Sequence, residues 1–392
     1  METLRRNFRE IDFTMISALL ILAVYSFIAL LAATHGKEAA PNVPSHIVSR
    51  QTMFEMIGII ALFLTMVYDY RGLRKKRWWI GGFALFLLVV VFAMPRVQGA
   101  HSWIPLPLFN FQPSEFAKLA MIIVIAAFMS EIDESEFPDY RFRKVWPILL
   151  MFIIPFALVL KEPALGQALV LAAIAGTMYT VFAKRSHFFI IVVVMIAGVV
   201  GISVVALMFP TESTAFIGFL VKHHILKSFQ ADRIVTWLNP NYDPLGAGYN
   251  IRLAQTAVGS GQVFGEGLFA GIETKGNWIP NQWTDYIFTA IGEEFGFIGS
   301  SILVLLFLLL IYRLARIAGT SQDTFGTYLV IGIVGMFAFQ VFENIGMDMY
   351  LSPSTGITLP FISYGGSSLI ANYIAVGLTL SVALRRKKLR FS

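Results

Sequence analysis

Seven ionisable or amide side chains interrupt runs that are otherwise apolar: Glu55, Glu115, Lys118, Asp285, Glu343, Asn344 and Asp348. Such groups are expensive at membrane depth and by default mark functional positions. A carboxylate can take a proton from a reacting hydroxyl, and an ammonium can hold a developing or resident anion. Glu115 and Lys118 are three residues apart and share a helix face. The same spacing describes a local ion pair that softens the cost of both charges. Asp285 follows Thr284 at an expected helix start, where a carboxylate also stabilises the helix end. Glu294 points away from Asp285 at 100° per residue, so the two do not line one cavity. The glycines of Gly259–Gly271 miss the dinucleotide spacing and no Walker lysine accompanies them, so this run reads as a mobile loop. Cysteine is absent, which excludes thiol nucleophiles, disulfides and Cys-ligated metals.

The scaffold that must position these residues is a membrane one. The 392 residues are 57% hydrophobic and 14% charged, and the mean hydropathy is +0.70. A soluble domain carries about 25% charged residues. Soluble enzymes, nucleic-acid binders and disordered chains are therefore excluded. About 20 apolar residues cross a bilayer as a helix, and backbone in hydrocarbon must satisfy itself internally. Ten runs meet this description, near 13–34, 53–68, 78–94, 116–130, 146–160, 164–183, 188–209, 286–312, 326–350 and 368–384. The expected fold is one all-α polytopic membrane domain over residues 1–392.

Basic residues set the orientation. With the N-terminus in the cytoplasm, twenty basic residues fall inside and four, Lys37, Arg50, Arg96 and Lys161, fall in short outside loops. Both termini are then cytoplasmic, and 385–392 is a basic tail attracted to lipid headgroups. Residues 210–285 become a long extracellular loop between helices 7 and 8. A loop of that length is usually functional. The segment 352–367 is uncharged, rich in turn-formers and studded with apolar residues, so it reads as re-entrant backbone covered by protein. The polar cluster gathers at the outer end of the helices. A transporter would more often place its site near the midplane.

Several stretches together resemble the SEDS family of shape, elongation, division and sporulation polymerases, which comprises RodA, FtsW and SpoVE. They are Phe111-Gln112-Pro113-Ser114-Glu115-Phe116-Ala117-Lys118, Trp283-Thr284-Asp285-Tyr286, Ile291-Gly292-Glu293-Glu294-Phe295-Gly296, Asn344-Ile345-Gly346-Met347, Thr355-Gly356-Ile357, Leu359-Pro360-Phe361 and Ser363-Tyr364-Gly365-Gly366-Ser367-Ser368. The ordered set covers essentially the whole chain. Its short tails look more like RodA than FtsW.

The resemblance implies a peptidoglycan glycosyltransferase of the bacterial plasma membrane. It would polymerise lipid II outside the membrane, for cell-wall elongation and cell shape, beside a class B penicillin-binding protein that crosslinks the glycan. The family's essential aspartate corresponds to Asp285, and its glutamate and lysine at the start of the fourth helix to Glu115 and Lys118. A sugar 4-hydroxyl would attack the anomeric carbon of a second lipid-linked sugar with inversion, and undecaprenyl pyrophosphate would leave. Asp285 is the expected base, Lys118 and Arg233 are cation candidates, and Glu115 orients Lys118. Gln112, Asn344, Ser363, Tyr364 and Ser367 are expected to bind substrate or support the site. No cofactor is required by the residues, although a divalent cation (Mg or Mn) would suit the pyrophosphate. Membrane lipids are expected neighbours. The family often has Gln-Pro-Asp-Leu-Gly-Thr-Ala where this chain reads Glu162-Pro163-Ala164-Leu165-Gly166-Gln167-Ala168, so no role passes to Ala164. A lipid II flippase and a membrane scaffold remain rival readings, as does a division or sporulation paralogue. Gly292, Gly296, Gly299, Gly332 and Gly335 allow close helix approach, either to a partner's single span or within the bundle.

Overall fold

The computed structural model describes residues 12–35, 46–95, 102–106, 109–135, 142–162, 164–183, 228–239 and 248–385, with a few positions between 208 and 246. The expected seventh span, most of 210–227 and the tail beyond Arg385 lie outside the described residues. The long helices are α1 (Phe13–Thr34), α2 (Ile47–Val67), α3 (Arg71–Val90), α4 (Pro113–Asp133), α5 (Phe142–Lys161) and α6 (Leu165–Phe182). Short helices α7 (Ser228–Leu238), α8 (Tyr249–Ser260) and α9 (Ile272–Gly276) precede α10 (Ile287–Gly319), α11 (Thr324–Asp348) and α12 (Gly366–Leu384). Strands β1 (Ile104–Pro105) and β2 (Asn110–Phe111) pair antiparallel ahead of α4.

Seven helices among the described residues are long and apolar enough to cross a membrane: α1, α2, α3 with its following turn, α6, α10, α11 and α12. α4 is not among them, because it carries Glu115, Lys118, Glu131 and Asp133. It can carry them because it faces protein rather than lipid: 16 of its 21 residues are buried. α12 is a second core helix, with Leu369, Tyr373, Val376 and Leu380 all buried.

Local signals start these helices. Asp12 accepts from Met15 N at 3.1 Å to cap α1, and Asp323 accepts from Gly326 N at 2.7 Å to cap α11. Pro113 occupies the first turn of α4, where a missing N–H costs nothing. One end of the bundle is basic. There Arg71 pairs with Asp323 at 3.1 Å, Arg74 with Glu134 at 2.7 Å and Arg77 with Glu131 at 2.5 Å. These pairs tie α3 to α4 and α11. Arg313 reaches back to the α1 cap Asp12.

α10 breaks at Gly296, where φ is 62° and ψ is −159°. The glycine-rich run does not behave as a free loop there. Gly267 N and Glu266 N donate to the carbonyls of Glu294 and Glu293, and Phe297 N and Ile298 N donate to the carbonyls of Gln262 and Val263. The run supplies partners that the broken helix lost. A Cβ on Gly265 would lie 2.2 Å from the Glu294 carbonyl, so only glycine fits this approach.

Candidate active site

The end opposite the basic one is built from helix ends and irregular backbone. Its centre is the stretch Ser352–Tyr364, which carries no regular structure yet buries Ile357, Leu359, Phe361 and Ile362 almost completely. This is the covered, irregular backbone expected from its composition. Its polar groups are satisfied by neighbours, as burial demands. Ser363 Oγ donates to Thr284 O at 2.6 Å and accepts from Leu359 N at 2.8 Å. Tyr364 N donates to Trp283 O at 2.9 Å. Asn344 Nδ2 donates to both Asp285 O and Ile357 O at 2.7 Å. Residues 283–285 are thus clamped by backbone contacts from two sides. Ser367 works one step further away: it accepts from Gln112 N at 3.0 Å and donates to Asn110 O at 3.2 Å, fastening α12 to the start of α4.

Two charged centres flank this stretch. In the first, Lys118 Nζ lies 2.8 Å from Glu115 Oε2, and each side chain is 1% exposed. Glu115 Oε1 accepts from Gln167 Nε2 at 2.7 Å. Glu115 is the one anion beside the ammonium among the described residues, and an ammonium has three N–H donors, so those not turned to Glu115 stay available to a further anion. In the second, Asp285 is partly exposed just ahead of α10. Burial pushes its carboxyl up to about 6, against the pull of the Arg233 guanidinium and the Thr284 hydroxyl. Arg233 comes from α7, in the long loop, and reaches Asp285 over the Gly356 backbone. A Cβ on Gly356 would lie 3.2 Å from Asp285 Oδ2 and 3.7 Å from Arg233 Nη1.

Thr355-Gly356-Ile357 joins the two centres. A Cβ on Gly166, one residue before Gln167, would meet Ile357 Cγ1 at 2.6 Å and Thr355 O at 3.0 Å. One tripeptide therefore touches both α6 beside the ion pair and Asp285 with Arg233.

The geometry also separates the other carboxylates. Glu293 accepts from Glu273 N at 2.7 Å, from Thr274 N at 2.8 Å and from Thr274 Oγ1 at 2.5 Å. Glu294 accepts from Phe269 N at 3.0 Å. Both anchor the glycine-rich segment and do not join Asp285. Asp348 is different. It is fully buried, with no donor but the Thr289 backbone N–H near its carboxylate, one turn beyond Asn344 and within electrostatic reach of Asp285. Glu162, just beyond α5, is also buried without partners, and burial pushes it up to about 8. Sequence reasoning gave no role to Gln167, and it saw Asp348 only as one polar residue among several.

Four of the five glycines expected at helix contacts in α10 and α11 pack against side chains of the protein. Gly292 packs on Val258, Gly332 on Ile122 and Met178, and Gly335 on Thr177. Gly299 sits beneath Phe295 and the Tyr25 hydroxyl. Of the two uses expected for them, the structure shows packing within the bundle.

An apolar helical scaffold of membrane-spanning length, with a buried ion pair and an acid of raised pKa at one end, is that of a multi-helix membrane protein with a polar site at the ends of its helices. The relatives narrow this. The family model described as "Cell cycle protein", covering FtsW, RodA and SpoVE, matches residues 12–388, and the chain belongs to that family. A probable peptidoglycan glycosyltransferase FtsW of Trichlorobacter lovleyi is 35% identical over 98% of this chain and 96% of its own. Stage V sporulation protein E of Bacillus subtilis is 38% identical over 85% and 86%. A chain from a solved structure described as "Structural coordination of polymerization and crosslinking by a peptidoglycan synthase complex" superposes with a TM-score of 0.73 at 27% identity, covering 95% of this chain and 97% of that one. Relatives carrying the FtsW, SpoVE and RodA names all match, so the expected lean towards RodA is not distinguished from the other branches.

Proposed function

We infer that this protein is a peptidoglycan glycosyltransferase that polymerises lipid II at the outer face of the bacterial plasma membrane. The observation that carries the reading is the Thr355–Ile357 bridge between the Glu115–Lys118 pair and Asp285 with Arg233. A base and two cations gathered around one tripeptide match the needs of glycosyl transfer from a pyrophosphate. Asp285, with its acidity near 6, is ionised at neutral pH and accepts the proton of the attacking 4-hydroxyl. Lys118 holds the pyrophosphate that departs, while Glu115, fixed by Gln167, keeps the ammonium in place. Arg233 keeps Asp285 ionised and adds positive charge above it.

In this reading ten helices span the membrane, including 188–209, and 210–285 is the outer loop that delivers Arg233. The basic end faces the cytoplasm with both termini. The partner is a class B penicillin-binding protein that crosslinks the product. A divalent cation suits the same site. Asp348 and Asn344 Oδ1 are buried hard oxygen donors with lone pairs to spare, and a magnesium-like ion needs only one or two carboxylates beside substrate phosphates. When bound it would neutralise charge on the leaving group. Among the described residues no group of three or more His, Cys, Asp or Glu side chains forms a complete protein cage.

The test is purified protein with fluorescent lipid II, read as glycan polymer on a gel. A ladder that disappears in Asp285→Asn supports the reading. Movement of lipid II across vesicles without polymer would favour a flippase and overturn it.

A further inference from the structure

Among the described residues the bundle is left open along α3. Ion pairs from Arg74 and Arg77 fix this helix at its basic end, while only 11% of its apolar stretch is buried. Between α3, α4 and α5 runs a groove of about 150 Å³, walled by Arg77 and Leu88, by Ala117 and Val124, and by Ile154 and Pro155. Gly82 helps to form it, since a Cβ there would meet nothing within 4 Å. From Arg77 to Leu88 the groove follows eleven residues of helix, about 16 Å at 1.5 Å per residue. Half of the roughly 30 Å hydrocarbon core is about 15 Å. The groove therefore has the length of one leaflet's acyl chain.

Its mouth is at the basic end. Arg77 pairs with Glu131 through Nη1 and leaves Nε buried without a partner. Lys75 and Lys76 are exposed beside it. Trp78 and Trp79 are 57% and 83% exposed at the same level, as side chains of a headgroup layer are. Cations in such a layer attract anionic lipids.

We propose that this groove holds one acyl chain of an anionic phospholipid from the leaflet at the basic end, with the phosphate at the exposed Lys75 and Lys76 beside Arg77. The far end of the groove is Ala117, the neighbour of Lys118. The bound chain braces α4 where it presents that lysine. The proposal rests on the bundle lying in a membrane with its basic end among headgroups, and not on the glycosyl-transfer reading.

The experiment uses the full chain in nanodiscs doped with photoactivatable phosphatidylglycerol or phosphatidylcholine carrying the reactive group on an acyl chain. Phosphatidylglycerol should label peptides within residues 77–88, 117–124 and 151–155 above the level of the zwitterionic lipid. Gly82→Phe, whose Cβ has open space and whose ring enters the groove, should lower that labelling about tenfold, the loss expected when about two methylenes leave their site. Lys75→Gln with Lys76→Gln should remove the preference for phosphatidylglycerol. Equal labelling by both lipids, labelling elsewhere in the wild-type chain, or competition by a polyprenyl pyrophosphate would each overturn the proposal. The wild-type map decides it even where Gly82→Phe does not fold. Polymerisation is measured separately, so a chain that binds the lipid and makes no glycan refutes the enzymatic reading alone.

Discussion

Asp285→Asn should make the protein inactive and more stable at once. In the folded chain burial raises the carboxyl of Asp285 from its ordinary 3.8 to about 6. The folded state therefore binds the proton more tightly than the unfolded state. The associated stability is fully present below pH 3.8 and is lost as pH rises through about 6. At 1.36 kcal/mol per pH unit the gap corresponds to about 3 kcal/mol, which solvent at this partly exposed side chain trims to about 1–3 kcal/mol. Asparagine keeps the shape and never ionises, and the clamp by Asn344 is to the main-chain carbonyl and survives the change. At pH 7.5 the variant should unfold a few degrees above the wild type, and at pH 4 the two should coincide. Polymerisation should fall by about 10²–10⁴, the usual loss for a general base. Thermal unfolding in detergent at both pH values, with lipid II polymerisation beside it, tests both halves. An asparagine variant no more stable than wild type at pH 7.5, or equally stabilised at pH 4, would refute the assignment of a strained carboxylate.

Arg233 draws the acidity of Asp285 downwards, so Arg233→Gln should move the acid limb of the pH–rate profile to higher pH. Polymer yield across pH 5–8 measures this, and an unmoved limb would separate the two residues. Gly356 has φ of 72°, a left-handed geometry that costs other residues about 1–2 kcal/mol. Its Cβ would crowd Asp285 Oδ2 at 3.2 Å, so Gly356→Ala should lose that stability and about 10² in turnover by misplacing the base. Lys118→Met leaves Glu115 charged and buried and should destabilise by about 3–5 kcal/mol. The double change Glu115→Gln with Lys118→Met should restore stability and remain inactive, because no ammonium is left for the pyrophosphate. Recovery of polymerisation in the double variant would reduce the pair to a structural role.

The ion pair was legible because two charges at helical spacing inside an apolar run have few inexpensive explanations. Asp285 stands out in the sequence as a lone charge at the edge of an apolar run and through its motif, and its role as base is what the Asp285→Asn variant tests. Gln167 was not legible, because a neutral amide in the first turn of a helix carries no sign of cost. Its role appears only when Gly166 lets α6 pack against Thr355 and Ile357. In the family pattern this position often holds threonine and Ala164 often holds aspartate. Here the longer amide reaches Glu115 directly. The break in α10 was hidden because apolar residues continue past Gly296 with helical spacing, and composition says nothing of a φ of 62°. For the same reason the glycine-rich run read as mobile, when its amides in fact complete a broken helix.

Hydrogen-bond satisfaction offers a way to sort the remaining carboxylates. A buried carboxylate that serves structure should collect donors, because an unmet acceptor is costly. Glu293 collects three, whereas Asp348, equally buried, has only the Thr289 backbone N–H within reach and leaves most of its acceptor capacity unused. A site poised for an absent ligand keeps its acceptors free, and a structural anchor uses them. Glu293→Gln should therefore cost about 1–3 kcal/mol of stability, since one acceptor becomes a donor facing backbone N–H groups. The surviving folded fraction should retain most of its specific activity. Asp348→Asn should do the reverse, leaving thermal unfolding at or above the wild-type value while lowering polymerisation. Unfolding curves and specific activity per folded molecule separate the two. If Asp348→Asn lowers stability and leaves activity intact, Asp348 belongs to the scaffold, and the free-acceptor criterion fails at this site.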